Sequence, residues 1–371
     1  MSVSLIIPYH SGSFYLDACL ASLAKDLDNI AEVIVVSNGN APSQRIPSDY
    51  DGLVRVLQHD EPLGYPAAIN LGAKEAQNPL LVFCDADTFF PQAGWIAKHC
   101  GLRDSRPEIG ITSSKLLNYR TDRILDFGIG RTRFNNFHPY LDSLKSDQRI
   151  QQSRRVQMAC SAVMMIERDL FRSVGGFDES LRYYYQDLDL SLRLKKAQRE
   201  VWVVADAVAY HRSQSSSITR APFQIDERGY FTLKNSELFD IDYPRYLIEA
   251  LTPYASGLSS SGPFGLVNLS TLIDLNEVLP LIHNYTSTKD LCRWTPPSRD
   301  LEFIALPDVV ETKVLRYKGP LLIVVDRAFS LRFNALWRCA RDTRADLVVD
   351  RHANAYLFDE IVEIQLESSC P

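Results

Sequence analysis

The stretch Ala67–Phe90, AAINLGAKEAQNPLLVFCDADTFF, governs the reading of the first half of this chain. Ala67–Ala76 reads as a helix. Leu80–Cys84 is an unbroken apolar run of strand length, as expected of a parallel strand buried on both faces. That strand delivers two carboxylates, Asp85 and Asp87, to its carboxyl end. Working outward, Val3–Ile7 is another apolar run, ending at Pro8, and Val33–Val36 and Leu53–Leu57 read as further strands. Phe14–Leu23 places Leu16, Leu20 and Leu23 at helical spacing. Such alternation predicts an α/β fold, a mostly parallel sheet with helices on both faces. Ligands of such sheets lie in the crevice outside the carboxyl ends of the strands. The rule selects Pro8–His10, Ser37–Asn40, His59–Gly64 and Asp85–Asp87.

The 371 residues carry 40 Lys+Arg against 46 Asp+Glu, a formal charge of −6. This length suggests two domains, or one large domain with an appendage. With 46% hydrophobic and 23% charged residues, a disordered or collagen-like chain is excluded. The acidic balance argues against nucleic acid as a partner, since phosphate neutralisation needs a basic surface. Seven scattered cysteines without a C-x-x-C pair read as reduced thiols in a cytoplasmic protein. No stretch approaches the ~18–20 apolar residues that span a bilayer, which leaves peripheral work at the inner face of a membrane compatible with the sequence.

Residues 103–155 read as polar and irregular. A helix is expected from about Asp187 to Arg199, then two strands, Val201–Val204 and Ala207–Tyr210. The expected domains are 1–240 and 241–371. Within the latter, Leu321–Val325, Leu331–Ala340 and Leu347–Val349 suggest a strand–helix–strand in an α/β or mainly helical appendage without a chemical motif.

Three segments can carry chemistry. Asp85 and Asp87 at a strand end suit a hard divalent cation such as Mg²⁺ or Mn²⁺, which takes oxygen ligands and shares them with a diphosphate; the alternative is a loop in which Asp87 or Thr88 caps the next helix. In GGFDESLRYYYQDLDLSLRLKKAQ (175–198), a Gly-Gly turn and an aromatic loop lead to Asp187 at a helix start, suited to act as general base towards a hydroxyl. Here the alternative is an N-cap by Asp187 or Asp189, and both cannot be the cap. The third is His211, just after an edge-like strand. It gains weight only if the fold brings it near Asp87, where a neutral imidazole could complete a metal site.

Taken in order, SLIIPYHSG, AEVIVVSNGN, LGYPAAINLGAKEAQNPLLVFCDADTFF, CSAVMMIERDLFRSVGGFDES, YYYQDLDLSLRLKKA and AYHRSQS resemble the family-2 glycosyltransferases of the GT-A fold. The resemblance covers roughly residues 3 to 219 and is closest to the bacterial rhamnosyl- and galactofuranosyltransferase-like branch. It implies an inverting hexosyltransferase of bacterial polysaccharide or glycoconjugate synthesis, dependent on Mn²⁺ or Mg²⁺. The implied donor is a nucleoside-diphosphate sugar, UDP- or dTDP-linked by default. A glycan, a lipid-linked oligosaccharide or a protein side chain would be the acceptor. Position by position, it implies Pro8, Tyr9, Asn38, Asp85 and Asp87 for the nucleotide sugar, Asp87 and His211 for the metal, Asp187 as catalytic base, and Trp95 and Gln186 on the acceptor side. Arg131 or Arg212 would close over the diphosphate.

Two departures stand out. Ser37 replaces the family's usual acidic residue in the second loop, and Gln186 replaces the Glu before the catalytic Asp, removing like-charge repulsion from Asp187. Both favour the alternative of a non-catalytic nucleotide-sugar or glycan-binding module on the same scaffold. A nucleotidyltransferase would need a Gly-rich phosphate loop where PYHSGSFYL stands, and FGIGRTRF lacks the third glycine of a dinucleotide fingerprint.

Overall fold

The computed structural model describes residues 2–10, 13–38, 52–133, 135–212, 224–260, 262–270, 273–293, 316–326 and 345–361. The chain divides into two units, Met1–Ile129 with Leu144–Asp240, and Gly130–Ser143 with Ile241–Pro371. The expected span 1–240 thus falls in the first unit apart from the excursion Gly130–Ser143, which belongs with the second.

Strands follow in chain order: β1 (Val3–Tyr9), β2 (Ile30–Asn38), β3 (Val54–His59), β4 (Leu80–Cys84), β5 (Thr88–Phe89), β6 (Ile109–Asn118), β7 (Ile124–Asp126), β8 (Gly130–Arg131), β9 (Asn136–Phe137), β10 (Arg154–Val156), β11 (Val163–Glu167) and β12 (Glu200–His211). All but β8 and β9 form one sheet, ten strands among the described residues, in the order β10-β12-β6-β11-β4-β1-β2-β3, with β5 beside β12 and β7 beside β6. The β4-β1-β2-β3 run is parallel throughout, and β6 runs parallel to β12. β11 lies antiparallel between β4 and β6. This is the mixed, mainly parallel α/β class that the sequence predicts.

The helices of this unit are α1 (Ser13–Leu23), α2 (Tyr65–Glu75), α3 (Trp95–Ser105), α4 (Arg168–Ser173), α5 (Gln186–Lys196) and α6 (Gln224–Lys234). Side chains alternate across a strand. Leu5, Ile7 and Tyr9 therefore pack with Leu16 and Leu20 of α1 and Ile96 of α3, while Ile6 faces α2. There Gly72 lets the helix lie on the sheet, because a Cβ would stand 2.5 Å from Ile6 Cγ2.

Two readings are corrected. Residues 103–155 contain β6, ten residues long and buried along almost its whole length. Its polar side chains disguise it: buried His99 bridges Thr112 Oγ1 and Ser114 Oγ at 2.9 Å each, and Lys115 Nζ donates to the Ile150 carbonyl. Burial pushes His99 down to about 3, so the bridge is a neutral imidazole. The two expected strands at 201–210 are one, β12, whose register against β6 shifts between Val204 and Val208. The bulge exposes Asp206 and keeps the flanking apolar residues buried.

The second unit contains the β8–β9 hairpin and a five-stranded sheet, β14-β13-β15-β16-β17, built from β13 (Phe264–Asn268), β14 (Thr288–Arg293), β15 (Leu321–Val325), β16 (Leu347–Asp350) and β17 (Ala355–Leu357). β14, β13, β15 and β16 are mutually parallel and β17 is antiparallel. With α7 (Tyr243–Leu251), α8 (Ala255–Ser260) and α9 (Leu275–His283), the unit is α/β rather than mainly helical. The expected helix at 331–340 lies outside the described residues. Phe137 and Tyr140 of the excursion are buried edge-on against Tyr243 and Tyr246, which explains why this segment leaves the first unit.

Candidate active site

The carboxyl end of β4 is the centre of the site. Past Cys84 the chain runs through Asp85–Asp87 into β5, where Thr88 pairs with His211 at the end of β12. This ladder draws a residue 124 positions away in the sequence onto the acidic pair (211 − 87 = 124). His211 Nε2 lies 3.1 Å from Asp87 Oδ1 and 3.4 Å from Asp85 Oδ2. Ligand atoms of all three residues fall within 4.8 Å of one another. Burial alone would lower the His211 pKa, but hydrogen bonds to Asp85 and Asp87, and then their charges, outweigh it and push it up to about 10. Without a cation, an imidazolium would offset only one of the two carboxylate charges.

The donor set fits a divalent cation. Two carboxylates and one imidazole match Mn²⁺ or Mg²⁺ chemistry, and Asp85 Oδ1 is buried with no hydrogen-bond partner among the described residues. Asp85 stands with Asp87 and His211 as a candidate ligand, beyond the pair expected from the sequence.

Asp187 reaches the same place by another route. Gly175 and Gly176, at φ +90° and +68°, turn the chain out of α4. Asn70 of α2 then ties the turn down, its side chain accepting from the Phe177 amide and donating to the Phe177 carbonyl, both at 2.9 Å. The tyrosine loop follows, ending in Tyr185 at φ 68°, a left-handed conformation uncommon for a bulky residue. It starts α5 so that Asp187 turns inward. The amide of Ser161 donates to Asp187 Oδ2 at 3.0 Å. The next residue, Ala162, accepts the amide of Asp85 at 2.9 Å. One short segment thus holds the base candidate and the first metal-side carboxylate together. Burial pushes the Asp187 carboxyl up to about 6 despite the Ser161 and Leu188 amides, and the Asp126 carboxylate adds to the rise.

Neither aspartate is the N-cap residue of α5, which is Tyr185, though Asp187 Oδ1 accepts the first-turn amide of Leu188 at 3.0 Å. Asp189 is fully buried and engaged by Arg193 Nε at 2.7 Å, Lys234 Nζ at 2.8 Å and Asn235 Nδ2 at 3.0 Å. It is a structural carboxylate, whereas Asp187 has backbone amides but no cationic side chain among its partners in the described residues. Gln186 is buried beside it, with Oε1 lacking a partner among the described residues.

Of the remaining expected residues, Pro8 and Tyr9 end β1, with Tyr9 opposite Ser37 of β2. The Ser37 hydroxyl is buried without a partner among the described residues. Asn38 is the last residue of β2; Gly39 and Asn40 lie outside the described residues. Trp95 is corrected: it is 1% exposed, stacked on Phe90 at 4.0 Å inside the core, and leaves no face for an acceptor. Arg131 is corrected as well, being buried in the second unit with its guanidinium donating to Asn136 Oδ1. Arg212 directly follows His211, its amide on the Asp87 carbonyl and its guanidinium 4.4 Å from the Tyr15 ring.

Sequence reading missed Tyr65 and Ser161. Tyr65, at the start of α2, donates to the Ser161 carbonyl at 3.3 Å, and burial with the nearby Asp85 and Asp187 carboxylates holds its phenol well above the usual range. Its aromatic ring at a strand-end crevice was a readable signal. Ser161 acts through a backbone amide, which no residue type announces.

The model of glycosyl transferase family 2 matches residues 4–174, which carry β1 to β4, the acidic pair and the Ser161 segment. Residues 4–174 are thus similar to glycosyl transferase family 2. Curated relatives of the chain include the O-antigen biosynthesis protein RfbC of Myxococcus xanthus, 28% identical over 59% of this chain and 18% of its own length. The pre-mycofactocin glycosyltransferase of Mycobacterium tuberculosis is 25% identical over 53% of this chain and 39% of its own. The chain therefore spans well under half the length of these relatives. Among solved structures, GalNAc-T7 with UDP, GalNAc and Mn²⁺ aligns over 65% of this chain and 53% of its own at 15% identity and a TM-score of 0.48. S. aureus TarS 1-349 aligns over 77% and 79% at 15% identity and a TM-score of 0.46. Among the described residues, no helix is long and apolar enough to cross a membrane.

Proposed function

We propose that this chain transfers a sugar, with inversion, from a nucleoside-diphosphate sugar to an acceptor hydroxyl in bacterial polysaccharide or glycoconjugate synthesis, at a membrane face if the acceptor is lipid-linked. One observation carries the reading: Ser161–Ala162 holds the Asp187 carboxylate and the Asp85 backbone side by side. Asp187 accepts the proton of the attacking hydroxyl. A pKa of about 6 suits that task, because the group is ionised at neutral pH yet more basic than an ordinary carboxylate. Gln186 Oε1 is free to accept a hydrogen bond from the acceptor and fix which hydroxyl faces Asp187. Pro8, Tyr9, Asn38 and Asp85 line the nucleotide side, and Ser37 offers a neutral hydroxyl in place of an acid.

Asp87 and His211, joined by Asp85, would hold Mn²⁺ or Mg²⁺, whose Lewis acidity would offset charge on the leaving diphosphate. Resemblance favours UDP- or dTDP-sugars, and names in the family such as O-antigen biosynthesis support a glycan product. Inversion rests on the family resemblance alone.

The test is a panel of nucleotide sugars with simple glycan acceptors, scored for released nucleoside diphosphate with and without EDTA and added Mn²⁺. Metal-dependent release with at least one donor is expected. Donor binding by calorimetry without turnover on any acceptor would overturn catalysis in favour of a binding module, and EDTA-resistant turnover would remove the metal role of Asp87 and His211.

A further inference from the structure

Helix α6 has no role in the site as described so far, yet its contacts point at it. Glu227 is buried, and its Oε2 accepts the backbone amides of Tyr184 at 2.7 Å and Tyr183 at 3.2 Å. One turn on, the Phe231 ring stacks on Tyr185 at 5.1 Å with the planes 13° apart. Tyr230 donates to Asp178 Oδ2 at 2.9 Å, and Lys234 Nζ reaches Asp178 at 2.6 Å and Asp189 at 2.8 Å. Asn235, just past the helix, completes the set on Asp189. Positions 227, 231 and 234–235 recur at the helical interval, so one face of α6 grips the loop 178–185 at both ends.

That loop matters because of where it ends. The left-handed turn at Tyr185 directs Gln186 and Asp187 inward, and a bulky residue holds such a conformation only when its surroundings enforce it. A carboxylate that accepts two successive amides fixes the backbone just before this turn, and the Phe231 stack fixes the Tyr185 side chain. Solvation does not explain the pattern. An acid buried under the loop, with its charge spent on main-chain donors, serves geometry rather than solubility.

We propose that Glu227 and Phe231 are positioning residues, which set the Tyr183–Tyr185 loop and through it the aim of Asp187 at the acceptor hydroxyl. The inference rests on the reading of Asp187 as catalytic base. Neither residue touches the Asp85–Asp87–His211 cluster, so the donor half of the site should not sense their loss. A displacement of the base by about 1 Å is enough to cost up to ~10²-fold in turnover.

The experiment compares Glu227→Ala, Glu227→Gln, Phe231→Leu and Asp187→Asn in the full chain with the donor and acceptor found active for the wild type. Glu227→Ala should lower kcat ~10–100-fold with donor KM within about twofold of wild type. Glu227→Gln, which keeps an oxygen to accept both amides, should recover most of that loss. Phe231→Leu should lie between them. If Glu227→Ala does not fold, Phe231→Leu still decides, since it removes the stack and preserves bulk. Wild-type kcat in Glu227→Ala or Phe231→Leu overturns the proposal, as does a rise in donor KM that accounts for the whole loss. Wild-type turnover in Asp187→Asn instead overturns the base assignment on which the proposal rests.

Discussion

The two largely parallel sheets of this chain end in polar residues at the same topological place, and the described residues there differ in how far their hydrogen-bonding groups are used. At the first sheet, Ser37 Oγ, Asp85 Oδ1 and Gln186 Oε1 are buried without hydrogen-bond partners among the described residues. At the second, Asp350 and Ser270 are engaged. Asp350 at the end of β16 accepts the amides of His352 and Asn354 at 2.9 and 3.0 Å and the Asn354 side chain at 3.2 Å. Ser270, just past β13, donates to Asp326, just past β15. Strand-end position nominates a crevice, and unspent hydrogen-bonding capacity separates a site from a turn. An unpaired buried polar atom costs roughly 1–3 kcal/mol, which a bound substrate would recover.

That contrast can be broken by exchanging consequences between the two ends. The largest effect is expected from Asp187→Asn, which should reduce transfer ~10²–10⁴-fold with donor affinity by calorimetry nearly unchanged. Asp350→Ala should do the reverse. Three donors lose their acceptor, so the thermal unfolding of the second unit should shift by roughly 2–4 kcal/mol, with no specific loss of donor binding at temperatures where the protein stays folded. Equal losses of activity from both changes would erase the distinction.

A subtler test uses the cost of keeping a buried acid ready. The Asp187 pKa is raised by folding, so its stabilising contribution is complete below the unfolded value near 4 and disappears as pH rises through about 6. Asp187→Asn should therefore be the more stable protein above pH ~6, by up to about 3 kcal/mol for a shift of two units, and gain little at pH ~4. Thermal melts at the two pH values measure this, and a pH-independent difference would refute the burial argument. The smallest effect concerns Gln186→Glu. A second carboxylate beside Asp187 should move the acidic limb of the kcat/KM profile to higher pH by about one unit, and an unmoved limb would show that the two side chains do not sense each other.

Much of this was legible. Apolar runs gave β1 to β4 because strands buried on both faces leave few choices of residue, and their ends nominated Asp85 and Asp87. His211 and Asp187 were legible through family resemblance, since their convergence depends on ladders that no local pattern encodes. β6 was hidden by Thr112, Ser114 and Lys115, whose polarity is satisfied internally by His99 and Ile150, and by Ser113, whose buried hydroxyl has no partner among the described residues. Trp95 misled because the resemblance places an aromatic on the acceptor side at this position, and only the fold reveals its stack on Phe90. Glu227 and Ser161 were illegible for a common reason. They act on or through main-chain amides, and backbone geometry leaves no mark in composition.

The excursion Gly130–Ser143 has a consequence for synthesis on the ribosome. Phe137 and Tyr140 emerge about a hundred residues before Tyr243 and Tyr246, the rings that bury them. During that interval a nascent chain displays two aromatic side chains without the tyrosine rings they pack against, at the stage when chaperones survey new polypeptides. A fragment terminated at Asp240 would lack those rings permanently, so it should be stickier than the full chain however well its own sheet closes.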